Sequence, residues 1–268
     1  TSGNRVVRRL CARNSPPHFS AHFSRNGRQP VTQPSALSVW RRMRVALFST
    51  GDELVMPGEP LPPGGVYNSN RYQLRVLLEQ LGCTVTDFGI VPDRLDATRA
   101  ALREAAVGHD LILTSGGVSV GEEDHVKPAV EAEGTLALWK IAIKPGKPLA
   151  FGHVGHAAFI GLPGNPVSSY VTFLMLVRPF ILAAQGSTVR VPRRQRMTAA
   201  FTRAQADTRR EFLRAQINEA GQLVLADNQM SSAVGSLAWA HGFVDVAPGV
   251  TVAAGDLVDF IPYSEVLS

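Results

Sequence analysis

Cysteine is scarce: 268 residues contain only Cys11 and Cys83. The two stand far apart, with no CxxC pair and no Cys/His cluster, which excludes a disulfide framework and a zinc site and fits a reducing, cytoplasmic setting. No serine lies in a GxSxG context, so neither Ser115 nor Ser119 reads as a nucleophile-elbow serine. His109, His125, His153, His156 and His241 lack metal-ligand spacing and read as structural or exposed. The longest apolar stretch, Val171 to Leu182, is interrupted by Arg178 and Pro179 and falls short of a membrane span, so no membrane partner is expected. Acidic residues are absent from the first 51 positions, which hold nine arginines. The net charge of +5 therefore belongs to that end, and the remainder is net acidic. A basic tail alone is a poor nucleic-acid footprint, and no nucleic-acid partner is expected.

What is present is an ordinary globular composition, 45% hydrophobic and 18% charged, long enough for one large or two modest domains. Residues 1–42 are rich in Arg, Ser, Pro, His and Asn, without helical or strand periodicity, and read as a disordered or atypical tail. Their acid-free, Arg-rich character is shared with organellar transit peptides. With no initiator Met and no amphipathic helix, a truncated or misread upstream domain is the better reading.

From Arg44 the pattern changes. The apolar run Val45-Ala46-Leu47-Phe48 predicts a parallel strand buried on both faces. Leu74, Leu77, Leu78 and Leu81 predict a helix over 69–81, closed by Gly82. Thr84 to Ile90 reads as a strand. A helix over 93–107 follows, with Asp93 as its cap and Leu95, Leu102, Ala105 and Ala106 on one face. Asp110 to Thr114 is a third strand and His125 to Glu133 a short helix. Further strands are expected over 136–143, 148–153 and 157–162. Asn165 as cap and Pro166 at the first helical position open the longest helix, to about Ala184. This alternation predicts a three-layer α/β/α domain with a mostly parallel sheet over 43–186. Beyond it, short strands at 195–200, 211–218, 222–225, 242–246 and 257–263, with little helix signal, predict a small all-β barrel over 187–268.

Open α/β sheets bind ligands beyond the carboxyl ends of their strands. There the sequence delivers Asp52 and Glu53, Asp93, the turn Ser115-Gly116-Gly117, and Asp124. Carboxylates beside a glycine turn suit a magnesium-bound phosphate ester, although Asp93 serves equally as a helix cap, the other acids as solvated charges, and the glycines as a tight turn. On one extended strand Lys140 and Lys144 would share a face, with Lys147 after a Pro-Gly turn. Three gathered lysines suit a polyanion, while solvated lysines are the bland alternative. The start of the Asn165–Pro166 helix, with Ser168 and Ser169, is a further anion site or a plain cap.

Four segments in order, Ser49 to Leu54 (STGDEL), Thr114 to Gly121 (TSGGVSVG), Ile143 to Pro148 (IKPGKP) and Leu162 to Ser168 (LPGNPVS), together closely resemble the molybdopterin molybdenumtransferase family, which includes the C-terminal part of gephyrin. The likeness covers about 39–268 and is strongest over 44–170. The resemblance implies insertion of molybdate into the dithiolene of adenylylated molybdopterin, with release of AMP in a Mg2+-dependent step. It places catalytic groups at Glu53, Asp93, Asp124, Lys140 and Lys144, the three acids also being the metal ligands. Substrate contacts carry over onto Thr114, Ser115, Gly116, Gly117, Lys147, Pro163, Gly164, Asn165, Ser168 and Arg209, with molybdate at Lys147, Ser168 and Arg209. A homodimer is implied, with a molybdopterin adenylyltransferase and molybdoenzymes as further partners. Two differences stand out. Family members carry two further domains before the α/β domain, which residues 1–38 do not match, and the chain has Arg209-Arg210-Glu211-Phe212 where the family has Arg-Pro-Glu-Phe. A molybdopterin adenylyltransferase-like module and a non-catalytic molybdopterin-binding scaffold are the alternatives.

Overall fold

The computed structural model describes residues 39–118, 125–188 and 191–267; Asp124 and the tail to residue 38 lie outside them. Strand β1 (Arg44–Thr50) is buried at every position after the first, as its unbroken apolar run requires. It lies between β4 (Thr84–Val91) and β5 (Leu111–Ser115), parallel to both. β5 pairs in parallel with β9 (Ala157–Leu162), and β8 (Pro148–Val154) and β6 (Gly134–Lys140) complete the sheet in antiparallel sense. The order is β4-β1-β5-β9-β8-β6, so the sheet is mixed, its parallel part carrying the strand ends where ligands are expected. A small parallel pair, β2 (Leu54–Val55) and β3 (Val66–Tyr67), sits off its edge.

Because β1 side chains alternate, each face of the sheet gathers its own core. Val45 and Leu47 pack with Leu74 and Leu78 of α1 (Ser69–Gln80) and with Val167 and Val171 of α4 (Pro166–Thr172). Ala46 and Phe48 pack with Leu102 and Ala105 of α2 (Leu95–Ala106) and with Val126 and Val130 of α3 (Val126–Glu133). Leu78 is fully buried, and Leu78→Ala would cost about 2–5 kcal/mol. The Asn68 side chain caps α1 by accepting from the Arg71 N–H. Gly82, at φ +74°, ends the helix in a Schellman turn, with the Cys83 N–H donating to the Leu78 carbonyl at 3.1 Å. Cys83 is buried, and desolvation pushes its thiol up to about 11, which makes it an inert packing residue.

Three local expectations are corrected. Helix α2 begins at Leu95 with Arg94 at the cap position and no side-chain cap bond, so Asp93 lies outside the helix it was expected to cap. Leu95 is 39% exposed, because a residue in the first turn overhangs the edge of the layer. The long helix is interrupted by a π-helical turn (Phe173–Val177) before α5 (Arg178–Ala184). Pro179 has no N–H for an ordinary helical bond, and the wider turn absorbs the mismatch. Taken whole, Pro166–Ala184 reaches the length and hydropathy of a membrane span, 19 residues at 1.7, as core helices also do. Here Val167, Val171, Phe173, Val177 and Ile181 are buried against the sheet.

Residues 195–262 form a second sheet, β10 (Gln195–Thr198), β14 (Leu257–Pro262), β13 (Gly242–Val246), β11 (Arg210–Ile217) and β12 (Leu223–Leu225), paired in that order and antiparallel throughout. A bridge between Ala199 and Leu223 returns β12 to the end of β10 and closes the sheet into a barrel around Leu213, Val244 and Phe260. A short helix, α6 (Gly235–Trp239), packs beside β11 and sends Leu237 into the core shared with the first sheet; five residues are too few for a periodic signal. The halves share one core: Phe212, Leu237, Phe243, Ile261 and Val266 belong to the cluster that contains Val45 and Leu74. At the other end of the chain, the Trp40 ring packs against Gly186, and Arg41 forms a two-pronged ion pair with Asp110.

Lys140 and Lys144 do not share a strand. β6 ends at Lys140, and β7 (Ile143–Lys144) leaves the first sheet to pair in parallel with Arg210 and Glu211 of β11 in the second. The Ile141 N–H donates to the Lys147 carbonyl at 3.0 Å, closing the Pro145-Gly146 turn that redirects the chain.

Candidate functional site: two cavities with a common wall

At the carboxyl ends of β1, β5 and β9 lies a cavity of about 810 Å³, the sheet-end cavity. Its lining brings together Thr50, Glu53 and Asp93, the turn Ser115-Gly116-Gly117, the turn Pro163-Gly164-Asn165, Ser168, and Asn68 and Asn70 at the start of α1. Glycine is needed at the turn for two reasons. Gly116 has φ +89°, and a Cβ there would lie 2.3 Å from the Thr50 carbonyl oxygen. A Cβ on Gly117 would meet Val126 and the Thr50 hydroxyl. The Gly116 N–H is committed to the Leu162 carbonyl at 3.0 Å, extending the β5–β9 ladder, so the turn keeps fewer N–H groups for an anion than its glycines promise. Ser115 shares a hydrogen bond with Ser49 at 2.9 Å. Asn70 Nδ2 donates to the Gly164 carbonyl at 2.6 Å and ties the start of α1 to the Leu-Pro-Gly-Asn-Pro turn.

The Glu53 carboxylate folds back over Gly51, where a Cβ would lie 2.6 Å from Oε2. The Asp93 backbone N–H donates to Asp52 Oδ1 at 3.1 Å, bringing the loops after β1 and β4 together. Among the described residues no group of three His, Cys, Asp or Glu side chains is arranged as a metal cage. Two carboxylates facing one cavity nonetheless match how magnesium is usually held, by one or two acids together with substrate phosphates.

A second cavity, of about 860 Å³, opens between the two halves of the molecule. Lys144, Lys147, Arg203, Arg209, Glu211 and Arg214 line it, with Gln229, Met230 and Ser231 from the loop after β12. Its charges form a network. Lys144 Nζ lies 3.0 Å from both Asp207 and Glu211; Arg203 grips Glu211 through two bonds of 2.8 Å; Arg209 grips Asp207 through two of 3.0 Å. The hydrogen bonds from Arg209 and Lys144 hold Asp207 well below the usual carboxylate range. Burial raises the Glu211 carboxyl, but the bonds from Arg203 and Lys144 outweigh it and leave the group lowered. The Asp207 and Glu211 bonds raise Lys144. Lys147 makes no ion pair among the described residues, so the cavity carries an excess of positive charge.

Arg214 is fully buried with no carboxylate partner among the described residues. It donates instead to Ser236 Oγ at 3.1 Å and to the carbonyls of Asn228 and Met230 at 3.3 and 3.1 Å. Desolvation lowers its pKa.

Pro148, Asn165 and Ser168 line both cavities. Asn165 stands at the cap position of α4 but makes no side-chain cap bond, which leaves its amide for the cavities. The N-terminal donors of α4 are mostly engaged: Pro166 has none, and the Val167 and Ser169 N–H groups donate to the Ser231 and Asn165 carbonyls. The anion-site reading of this helix end therefore narrows to Ser168.

Of the residues named from sequence, Glu53, Asp93, Ser115, Gly116, Gly117, Pro163, Gly164, Asn165 and Ser168 meet in the sheet-end cavity, and Lys144, Lys147 and Arg209 in the second. Thr114 is buried beneath the turn, outside both linings. Lys140 lies in neither, and Asp124 falls outside the described residues. Sequence reasoning missed Thr50, Asn68, Asn70, Arg203, Asp207 and Arg214. The signal for Asn68 was its place just before a periodic helix; for Arg214 it was a charge set among Phe212, Leu213 and Ala215.

Comparison with known proteins agrees with this architecture. Residues 46–183 match the family described as a probable molybdopterin binding domain, and 196–263 match the MoeA C-terminal region, domain IV. Molybdopterin molybdenumtransferase of Haemophilus influenzae is 44% identical over 204 residues, which is 72% of this chain and 50% of the relative. Molybdopterin molybdenumtransferase 2 of Mycobacterium tuberculosis is 36% identical over 229 residues, 82% of this chain and 56% of the relative. The crystal structure of a molybdopterin biosynthesis MoeA protein from Pyrococcus horikosii superposes with a TM-score of 0.70 at 29% identity, covering 83% of this chain and 55% of that one. The chain thus spans about half the length of these relatives. With one family model over the sheet and the other over the barrel, the chain belongs to the MoeA, or molybdopterin molybdenumtransferase, family.

Proposed function

We propose that the chain acts in molybdenum cofactor biosynthesis by holding adenylylated molybdopterin in the sheet-end cavity, receiving molybdate in the cationic cavity, and supporting molybdate insertion with release of AMP. The observation that carries this reading is the common wall of Pro148, Asn165 and Ser168, which puts a hydrogen-bonding cavity next to a cationic one. A ligand carrying both a heterocycle and an oxyanion acceptor needs that pairing. Lys147 and Arg209 supply positive charge for molybdate, and Ser168 presents a hydroxyl to both compartments. Glu53 and Asp93, with Asp124 as third acid, would hold Mg2+, which when bound supplies positive charge to the phosphoanhydride. The lysine and arginine of the second cavity keep molybdate oriented toward the common wall. A homodimer and a cytoplasmic setting belong to the same proposal.

The test is calorimetric titration with adenylylated molybdopterin in the presence of Mg2+, followed by AMP release on adding molybdate, for the unmodified chain, Glu53→Gln and Lys147→Gln. We expect binding in all three, AMP release lowered at least tenfold in Glu53→Gln, and a molybdate requirement raised about tenfold in Lys147→Gln. Failure of the unmodified chain to bind would reject the reading.

A further inference from the structure

Among the described residues, three polar atoms in the wall of the sheet-end cavity are buried without a hydrogen-bond partner: Thr50 Oγ1, Asn68 Nδ2 and Asn70 Oδ1. Their residues are 2%, 2% and 7% exposed, and all three line the cavity. Buried polar groups are rarely left in this condition, and a cluster of them beside a cavity of ligand size points to a ligand that completes them.

The orientation of each amide is fixed by a backbone partner. Asn68 accepts from the Arg71 N–H, so the accepting atom must be its oxygen, and the NH2 is left to the cavity. Asn70 donates to the Gly164 carbonyl, so the donating atom must be its nitrogen, and the oxygen is left over. The open set is thus one NH2 donor, one carbonyl acceptor and, from Thr50, one hydroxyl beneath the Gly116-Gly117 turn. None of the three carries charge, which suits a phosphate or molybdate poorly.

We infer that Thr50, Asn68 and Asn70 form a recognition edge for an uncharged heterocycle that presents a neighbouring hydrogen-bond acceptor and donor. This rests on the sheet-end cavity being the ligand cavity of the proposed function. The 2-amino-4-oxo edge of a pterin and the N1/N6 edge of adenine both carry that pattern. Selectivity follows from the chemistry: a ring without the paired donor and acceptor leaves the amides desolvated and unpaired.

The experiment is calorimetric titration of the full chain with AMP, 6-hydroxymethylpterin and ribose 5-phosphate. Asn68→Ser keeps a cap acceptor for Arg71 but removes the NH2; Thr50→Val keeps the shape and removes the hydroxyl. We expect Asn68→Ser to weaken one ring probe about tenfold and leave ribose 5-phosphate unchanged, the responding ring identifying the source. Thr50→Val should weaken the same probe several-fold with a melting temperature unchanged or higher, since it deletes an unpaired buried hydroxyl. If the ring probes bind and neither variant alters their affinity, the three atoms hold water only; the inference is overturned and the proposed function stands. If none of the three probes binds the unmodified chain, both are overturned.

Discussion

The two cavities meet at three residues yet are built on opposite principles. The sheet-end cavity is made by backbone: strand ends, two glycine turns and the start of a helix bring short neutral side chains to fixed places, with carboxylates at its margin. The cationic cavity is made by side chains: Lys144, Arg203 and Arg209 are held by Asp207 and Glu211, and the whole rests on a barrel strand. A backbone-built site selects by shape and hydrogen-bond pattern and tolerates salt. A site built from exposed cations attracts by charge and is screened. The same ligand can therefore be steered by one compartment and identified by the other.

The largest expected effect tests whether the cationic wall depends on one buried charge. Arg214→Ala leaves the carbonyls of Asn228 and Met230 and the Ser236 hydroxyl without their donor. The expected loss is about 3 kcal/mol of stability by denaturant titration, with molybdate affinity falling more than AMP affinity; equal losses would erase the contrast between the compartments. Gly116→Ala strikes the backbone-built side. With φ +89° and a Cβ 2.3 Å from the Thr50 carbonyl oxygen, we expect a cost of about 2 kcal/mol and loss of AMP binding by calorimetry.

Glu211→Gln is a smaller change with a pH signature. The folded carboxyl lies below its ordinary value of 4.5, so its contribution is present above that value and disappears as pH falls through the lowered one. At pH 7 the variant should be less stable by about 1 kcal/mol, and the gap should close on acidification; a constant gap would mean that the charge is not what matters. The smallest effect is Asn165→Ala. Because this side chain makes no cap bond, stability should change by less than about 0.5 kcal/mol, while affinities for both AMP and molybdate fall. A stability loss of about 1 kcal/mol would instead mark an ordinary helix cap.

The backbone-built half was the more legible in sequence. An apolar run ending in Ser49-Thr50-Gly51-Asp52, a strand ending in Ser115-Gly116-Gly117 and the Leu-Pro-Gly-Asn-Pro turn each announce a strand or helix end, and strand ends converge in an α/β sheet. Lys140 and Lys144 show where this fails. Extended spacing puts them on one face, but a two-residue strand moved Lys144 into the other sheet, and only long-range pairing with Arg210 and Glu211 decides that. The network of Arg203, Asp207 and Arg209 was out of reach for the same reason: opposite charges on loops have no periodicity. Asp93 falls one residue before the cap position of its helix, where its backbone N–H is tied to Asp52.

The short strand β7 also bears on how these halves can be inherited. It is covalently part of the first domain but hydrogen-bonded into the barrel of the second, in the manner of a stitch passed from one piece of cloth to the other. A barrel cut free at residue 187 would lose the β7 pairing with Arg210 and Glu211 at the start of β11 and expose Phe212, Phe243 and Ile261 from the common core. It would be an adhesive fragment rather than a module. Recombination that shuffles domains at linkers should therefore pass over this boundary, and the two halves should be exchanged together or not at all.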